Sequence, residues 1–251
     1  VTLAQHFLAD DFQPDLIIAD DMLDVTTFLA LTRARTYNIP FVLYMHENQL
    51  TYPLPIDPTK GAMRRQKGER DHHYVFINYA SMSSADHVYF NSHYHLESWF
   101  SALPNFLKNF PDHNELASIK RLRQKSSVLP VGIERPHASS EKDGKSPLIV
   151  WNQRWEYDKN PEAFFSALKA VSNLPFRVAI LGENFSRQPA VFEEAREWLG
   201  ERLVAFGFVE RERYWEILGS ADLTISTAIH EFFGISIVEA MAHGIIPLLP
   251  H

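Results

Sequence analysis

Nine short apolar runs, most of them separated by helical patterns of about ten residues or more, constrain this chain more than any other feature. They fall at residues 15–19, 41–45, 87–90, 128–131, 148–152, 176–181, 203–206, 223–226 and 245–249. A strand that is followed by a helix before the next strand pairs with it in parallel, through a right-handed crossover. The pattern therefore predicts an α/β fold. Local signals mark several of the helices. A helical stretch from residue 3 to 9 opens the chain, and another from 25 to 37 has Asp24 as its N-cap and Asn38-Ile39-Pro40 as its stop. A long helical pattern ends near Ala85, and Asn91 or Ser92 caps the next. Pro161 suits the first turn of the helix that follows the 148–152 run.

The alternation is interrupted once. From His137 to Pro147 the composition turns to Ser, Lys, Glu, Asp and Gly, which reads as a linker over 138–147. Two doubly wound, Rossmann-like domains are expected on either side, at 1–137 and 148–251, facing each other across a cleft. At 251 residues the chain is long enough for two cores. Its net charge of −7 argues against a surface coated in positive charge, although nucleic-acid binding needs only a local basic patch. The absence of cysteine rules out disulfides and thiolate metal sites. No apolar run is long enough to span a bilayer, and no basic segment followed by an apolar one opens the chain, so a cytoplasmic location is expected.

Residues 230–240 carry the most chemistry. Glu231 precedes a turn at Gly234, and Glu239 lies inside the next helix, with seven residues between the two carboxylates. Gly234 would leave unpaired amides at a helix N-terminus, which suits an anionic group. Glu239, more than a turn further on, is better suited to accept hydrogen bonds from vicinal hydroxyls such as those of a ribose. An amphipathic helix with two solvated glutamates fits the same spacing, and spacing alone does not separate the two. Upstream, Arg154 follows the 148–152 run and Lys159 stands five residues later. A guanidinium fork and a point charge at a sheet edge would neutralise a diphosphate; two solvated cations near a helix start fit as well.

In the first half, residues 41–45 deliver His46-Glu47-Asn48-Gln49 to the C-terminal end of a strand, where open α/β sheets place ligands. Asp20, Asp21 and Asp24 cluster after another strand. His72, His73, His93 and His95 lack a third ligand at suitable spacing, so no metal site is expected. Two positive clusters, Arg64 to Arg70 and Lys120 to Lys125, read either as phosphate contacts or as solvated helix faces.

Arg154, Lys159, Glu231 and Glu239 together resemble the donor half of retaining glycosyltransferases of the two-domain GT-B fold. The resemblance implies that Arg154 and Lys159 hold the diphosphate of a nucleotide sugar, that Glu231 meets the transferred sugar, and that Glu239 meets the ribose. It further implies that Phe233, Gly234, Ile235 and Ser236 supply backbone amides and that the turn at Gly207-Phe208-Val209 borders the base. The first half narrows it. Residues 44–53, Ile77-Asn78-Tyr79, residues 90–95, residues 128–133 and residues 151–156 are similar to the tRNA-queuosine α-mannosyltransferases.

That resemblance implies GDP-mannose as donor and the cyclopentenediol of queuosine in the anticodon of tRNA-Asp as acceptor. It implies no metal cofactor, since the departing diphosphate assists the acceptor hydroxyl. His46 would contact the donor sugar or help move a proton, with Arg154, Lys159 and Glu231 as the other catalytic groups. Asp21, Asn48, Gln49, Arg64 and Arg65 are the candidate acceptor contacts. Such proteins have a further strand and glycine loop before the first helix here and further helices after residue 249, so the chain is expected to be truncated at both ends. No membrane and no obligate protein partner is expected. Three rivals remain: a retaining transferase for a glycan or lipid acceptor, a nucleotide-sugar epimerase, and a non-catalytic nucleotide-sugar or tRNA-binding module.

Overall fold

A computed structural model describes residues 1–53, 72–134, 146–183 and 190–250. They form two compact units, Val1–Val131 and Gly132–His251, each with its own parallel sheet. The expected linker at 138–147 lies outside the described residues except for Ser146 and Pro147. Among the described residues, no helix is long and apolar enough to cross a membrane.

The first unit places strands β1 (Ile17–Asp20), β2 (Phe41–Met45), β3 (His87–Phe90) and β4 (Ser126–Val128) side by side in chain order, all parallel. Helices α1 (Thr2–Ala9), α2 (Val25–Thr36), α3 (His72–Ser84), α4 (His93–Leu107) and α5 (Ser118–Gln124) alternate with them. Asp24 caps α2 by accepting from Thr27 N, and Ser92 caps α4 by accepting from His95 N. Phe41, Leu43, Met45, Val88 and Phe90 are buried against Trp99, Leu103 and Met82 of the neighbouring helices.

Two expected strands differ. The 15–19 run reads as buried, yet β1 is an edge strand from 17 to 20 whose Ile18 is 63% exposed. In place of the 128–131 run, β4 starts two residues earlier and ends at Val128, pairing Val88 with Ser126 and Phe90 with Val128. Pro130 has no N–H to give a ladder, and two serines tolerate a half-buried edge, so apolarity misplaced this strand.

The second unit has the strand order β7-β6-β5-β8-β9, with β5 (Leu148–Asn152), β6 (Arg177–Leu181), β7 (Leu203–Gly207), β8 (Leu223–Ile225) and β9 (Ile246–Leu248). Its helices are α6 (Pro161–Ala170), α7 (Ala190–Leu199), α8 (Arg211–Ser220) and α9 (Ile235–Ala242). Every residue of β5 is buried, as a central strand covered on both faces requires. Trp151 stacks on Phe164, and Trp155 stacks on Phe192 with ring centroids 4.1 Å apart. The chain winds from β5 outward to β6 and β7, then returns to β8 on the other side. That reversal makes the C-terminal end of β5 a topological switch point, where an open α/β sheet leaves a crevice for ligand.

Candidate donor site in the second unit

The last residue of β5, Asn152, stands at the switch point and is nearly buried. Its amide Nδ2 donates to the carbonyl of Ser236 at 2.9 Å and to the phenol oxygen of Tyr214 at 3.0 Å. Its Oδ1 accepts from Thr224 Oγ1 of β8 at 3.3 Å. One side chain thus ties β5 to β8, α8 and the first turn of α9. The Tyr214 hydroxyl in turn donates to Glu239 Oε2 at 2.7 Å. Burial, and then the bond to Glu239, holds the phenol's pKa well above its ordinary range.

A cavity of about 520 Å³ opens beside these groups, lined by Arg154, Gly182, Phe208, Val209, Arg211 and Tyr214 among others. Its size is that of a small-ligand pocket. Gly182 is required there: its φ is +130°, and a Cβ would sit 2.1 Å from the carbonyl oxygen of Gln153. The ends of β5 and β6 therefore touch backbone to backbone. Gly207, at φ +103°, turns the chain from β7 toward Phe208, whose ring is 64% exposed at the cavity edge. Arg154, half-exposed, pairs with Glu156 at 3.3 Å.

Lys159 has a different environment from Arg154. It is 7% exposed, and its Nζ lies 2.8 Å from Glu231 Oε2 and 3.1 Å from Asp158 Oδ2, a carboxylate only 1% exposed. The backbone of this turn is fastened to the segment after β8: Ile229 N donates to Asp158 O at 2.7 Å, and Thr227 Oγ1 to Lys159 O at 2.8 Å. Two stretches distant in sequence are thereby held as one piece. Gly234 follows at φ +76°, where its missing Cβ would crowd Glu231 Cγ at 3.2 Å. It caps α9 and receives Ile237 N and Val238 N on its carbonyl. The amides of Ile235 and Ser236 belong to the helix's first turn, which has no intrahelical acceptor. His230 packs edge-on to Phe232, and burial lowers its pKa.

Of the residues expected to bind donor, Arg154 and Val209 line the cavity. Lys159 and Glu231 are joined to each other, Phe233 is half-buried and Ile235 exposed beside Gly234, and Ser236 reaches the cavity region through Asn152. Glu239 is joined to Tyr214. Asn152, Asp158 and Tyr214 were missed. A polar residue ending an otherwise apolar run is the signal that would have found Asn152; the helix around Tyr214 carries none.

In the first unit, His46 follows β2 with its side chain 56% exposed. Asp21 Oδ1 accepts from His46 N at 2.7 Å and lies 3.6 Å from His46 Nδ1. The bond to Asp21 raises the imidazole's pKa against the opposing effect of burial. Asn91 Nδ2 donates to His46 O at 2.7 Å, and buried His95 bonds Asn91 at 2.9 Å.

Two of the residues expected to contact the acceptor are buried. Asp21 is 3% exposed and supports His46; Asn48 is fully buried and closes a turn by accepting from Thr51 N at 2.9 Å. Gln49 is half-buried and donates to Glu47. Arg64 and Arg65 lie outside the described residues.

The run from Lys120 to Lys125 is not a uniform cationic face. Lys125 donates to the carbonyl of Ser83 at 3.0 Å; Lys120, Arg121 and Arg123 are exposed, and Arg123 is paired with Glu97. Among the described residues no group of three or more His, Cys, Asp or Glu side chains is placed to hold a metal.

Solved structures with this fold include HepE of Anabaena in complex with UDP and glucose, at TM-score 0.63 and 15% identity over 99% of this chain and 62% of that one. The catalytic domain of starch synthase IV from Arabidopsis thaliana, bound to ADP and acarbose, matches at TM-score 0.67 and 13% identity, over 99% of this chain and 59% of the other. Sucrose-phosphate synthase from Thermosynechococcus elongatus matches at 0.64 and 15%, over 98% and 59%. At such identities the likeness establishes the fold, that of GT-B glycosyltransferases. The tRNA-queuosine alpha-mannosyltransferase of Drosophila melanogaster is 35% identical over 223 residues, 84% of this chain; the chain spans 56% of that relative's length. The family model for glycosyl transferases group 1 matches residues 132–249, and the model for the N-terminal part of tRNA-queuosine alpha-mannosyltransferases matches residues 1–133. The chain belongs to the tRNA-queuosine α-mannosyltransferase family.

Proposed function

We propose that the protein containing this chain is a retaining glycosyltransferase that moves mannose from GDP-mannose to the cyclopentenediol of queuosine in the anticodon of tRNA-Asp. Family membership supports the tRNA acceptor, and the second unit supports a nucleotide-sugar donor. The observation that carries the donor reading is the Lys159–Glu231 pair beside the Gly234 turn. It puts an ammonium, a carboxylate and a helix N-terminus at the end of one sheet. In the loaded enzyme, the diphosphate takes the Lys159 ammonium and the α9 amides, and Glu231 turns to hydroxyls of the transferred sugar. Arg154, half-exposed at the cavity, adds a second cation.

The departing diphosphate oxygen accepts the proton of the acceptor hydroxyl on the face it leaves, so configuration is retained without a protein nucleophile. Arg154 and Lys159 stabilise the charge that grows on the leaving group, which is most valuable in the transition state. With two cations in that role the reaction needs no metal. His46, its protonated form favoured by Asp21, donates a hydrogen bond to the donor sugar. A tRNA acceptor goes with a cytoplasmic location.

The test incubates the full-length protein with GDP-mannose and tRNA that contains or lacks queuosine, and reads the nucleosides by mass spectrometry. Mannose is expected on queuosine alone, undiminished by EDTA. Absence of transfer to queuosine-containing tRNA overturns the reading, and transfer from UDP-glucose in preference to GDP-mannose overturns the donor.

A further inference from the structure

The proposed function assigns no role to Tyr214, although its hydroxyl lies between Asn152 and Glu239 at the cavity. The hydrogen bonding there has one consistent direction. An amide nitrogen has two hydrogens, and Asn152 gives one to Ser236 O and one to the Tyr214 oxygen. A flipped amide would set its oxygen against the Ser236 carbonyl and its nitrogen against the Thr224 hydroxyl, so the orientation is determined. The phenol, receiving from Asn152, has a single proton to give and gives it to Glu239 Oε2. The anchors of this chain of bonds sit on β5, β8, α8 and α9, all of them regular elements.

We propose that Tyr214 is a positioning residue: braced by Asn152, it fixes one oxygen of Glu239 and thereby aims the carboxylate at the vicinal ribose hydroxyls of a nucleoside diphosphate. The inference rests on the ribose reading of Glu239 and adds to it the residues that set the carboxylate's geometry. A charge-assisted bond of this length restricts the rotamer of a side chain that would otherwise sample several. The raised pKa of the phenol keeps its proton in place at neutral pH, so the donor role does not titrate away.

The experiment measures binding of GDP and of 2′,3′-dideoxy-GDP to the full-length protein by calorimetry, with kcat and donor KM alongside. Wild type is expected to favour GDP over the dideoxy analogue. Tyr214→Phe is expected to weaken GDP by about tenfold while leaving the analogue within about twofold, since a bond to a charged group is lost only where the ribose uses it. Donor KM rises with it, and kcat stays within about threefold. Glu239→Ala removes the preference for GDP, and adding Tyr214→Phe to it costs no more. Equal weakening of both ligands by Tyr214→Phe, or losses that add to those of Glu239→Ala, overturns the inference and leaves a merely structural tyrosine. Tyr214→Met, an adaptable side chain of the same apolar character, carries the same comparison should the phenylalanine variant not fold. A wild type that binds GDP but does not distinguish the analogue removes the ribose reading of Glu239 and the inference with it. A wild type that binds neither removes the GDP donor of the proposed function instead.

Discussion

Lys159 and Glu231 are joined at 2.8 Å across 72 residues of sequence, with the lysine 7% exposed and the nearly buried Asp158 as its second partner. Arg154, only five residues before Lys159, is half-exposed. Removing the two cations is therefore expected to have unequal effects on stability. Lys159→Ala withdraws an ammonium from a buried carboxylate and is expected to cost about 3 kcal/mol. Arg154→Ala stays within about 1 kcal/mol of wild type, as surface pairs do. If both cations stabilise the leaving group as proposed, each variant is expected to lose turnover by at least about 100-fold. Urea unfolding and single-turnover kinetics on the two variants check this; similar stability losses for both would refute it.

Gly182 and Gly207 both have positive φ, but only Gly182 is crowded. Gly207→Ala should cost about 1–2 kcal/mol for the left-handed backbone alone. For Gly182→Ala the new methyl carbon meets a backbone oxygen at 2.1 Å, so the ends of β5 and β6 have to separate. A loss of more than about 3 kcal/mol is expected, with the cavity deformed as well. Denaturation midpoints of the pair decide it, and equal losses would mean that the contact relaxes.

The His46–Asp21 contact makes a pH prediction. The folded pKa of His46 is raised above its unfolded value near 6.5, chiefly by the bond to Asp21. The folded state then binds the proton more tightly. The stabilisation is fully present below about pH 6.5 and disappears as pH rises through the raised folded value. Asp21→Asn should bring the imidazole titration down in pH and remove that slope. NMR titration of the His46 ring measures the first and stability against pH the second; an unmoved titration would sever the pair.

For tRNA, only part of the basic run is available. Lys120→Glu with Arg121→Glu should weaken binding and flatten the logarithmic salt dependence by about 1–2 units, as two phosphate contacts are lost. Lys125, which donates to the carbonyl of Ser83, should behave differently: Lys125→Met is expected to lower stability and leave the salt slope alone. Filter binding over a range of salt separates these outcomes, and an unchanged slope in the double variant would exclude this face.

Legibility from sequence followed burial and locality. β2, β3, β5 and β6 are short runs buried in the middle of sheets, so their hydrophobic runs and their positions nearly coincide. The caps Asp24 and Ser92 act within three residues and are local by nature. β4 was misplaced because an edge strand of two serines and a valine has no apolar signature. In the candidate site, single residue types and short spacings suggested Arg154, Lys159, Glu231 and Glu239. Their partners were not readable. Tyr214 lies on a helix, Arg-Glu-Arg-Tyr-Trp-Glu, that looks like a solvated face, and Asn152 becomes informative only once β5 is known to be the switch strand. For Asp21 and Asn48 a strand-end position reads as ligand contact, and the structure adds that both are buried acceptors for nearby backbone N–H groups, a role that position alone does not reveal.

The Asn152–Ser236 and Lys159–Glu231 bonds close loops of 84 and 72 residues. On the ribosome, at about 5–20 residues per second, Lys159 waits roughly 4–14 s for Glu231 to be made. During that time β5, β6 and β7 can pair, but the end of β5 lacks the strand and helix that complete it. The nascent second unit therefore exposes an unfinished sheet edge at β5 until β8 arrives, and that interval is when a chaperone has most to protect.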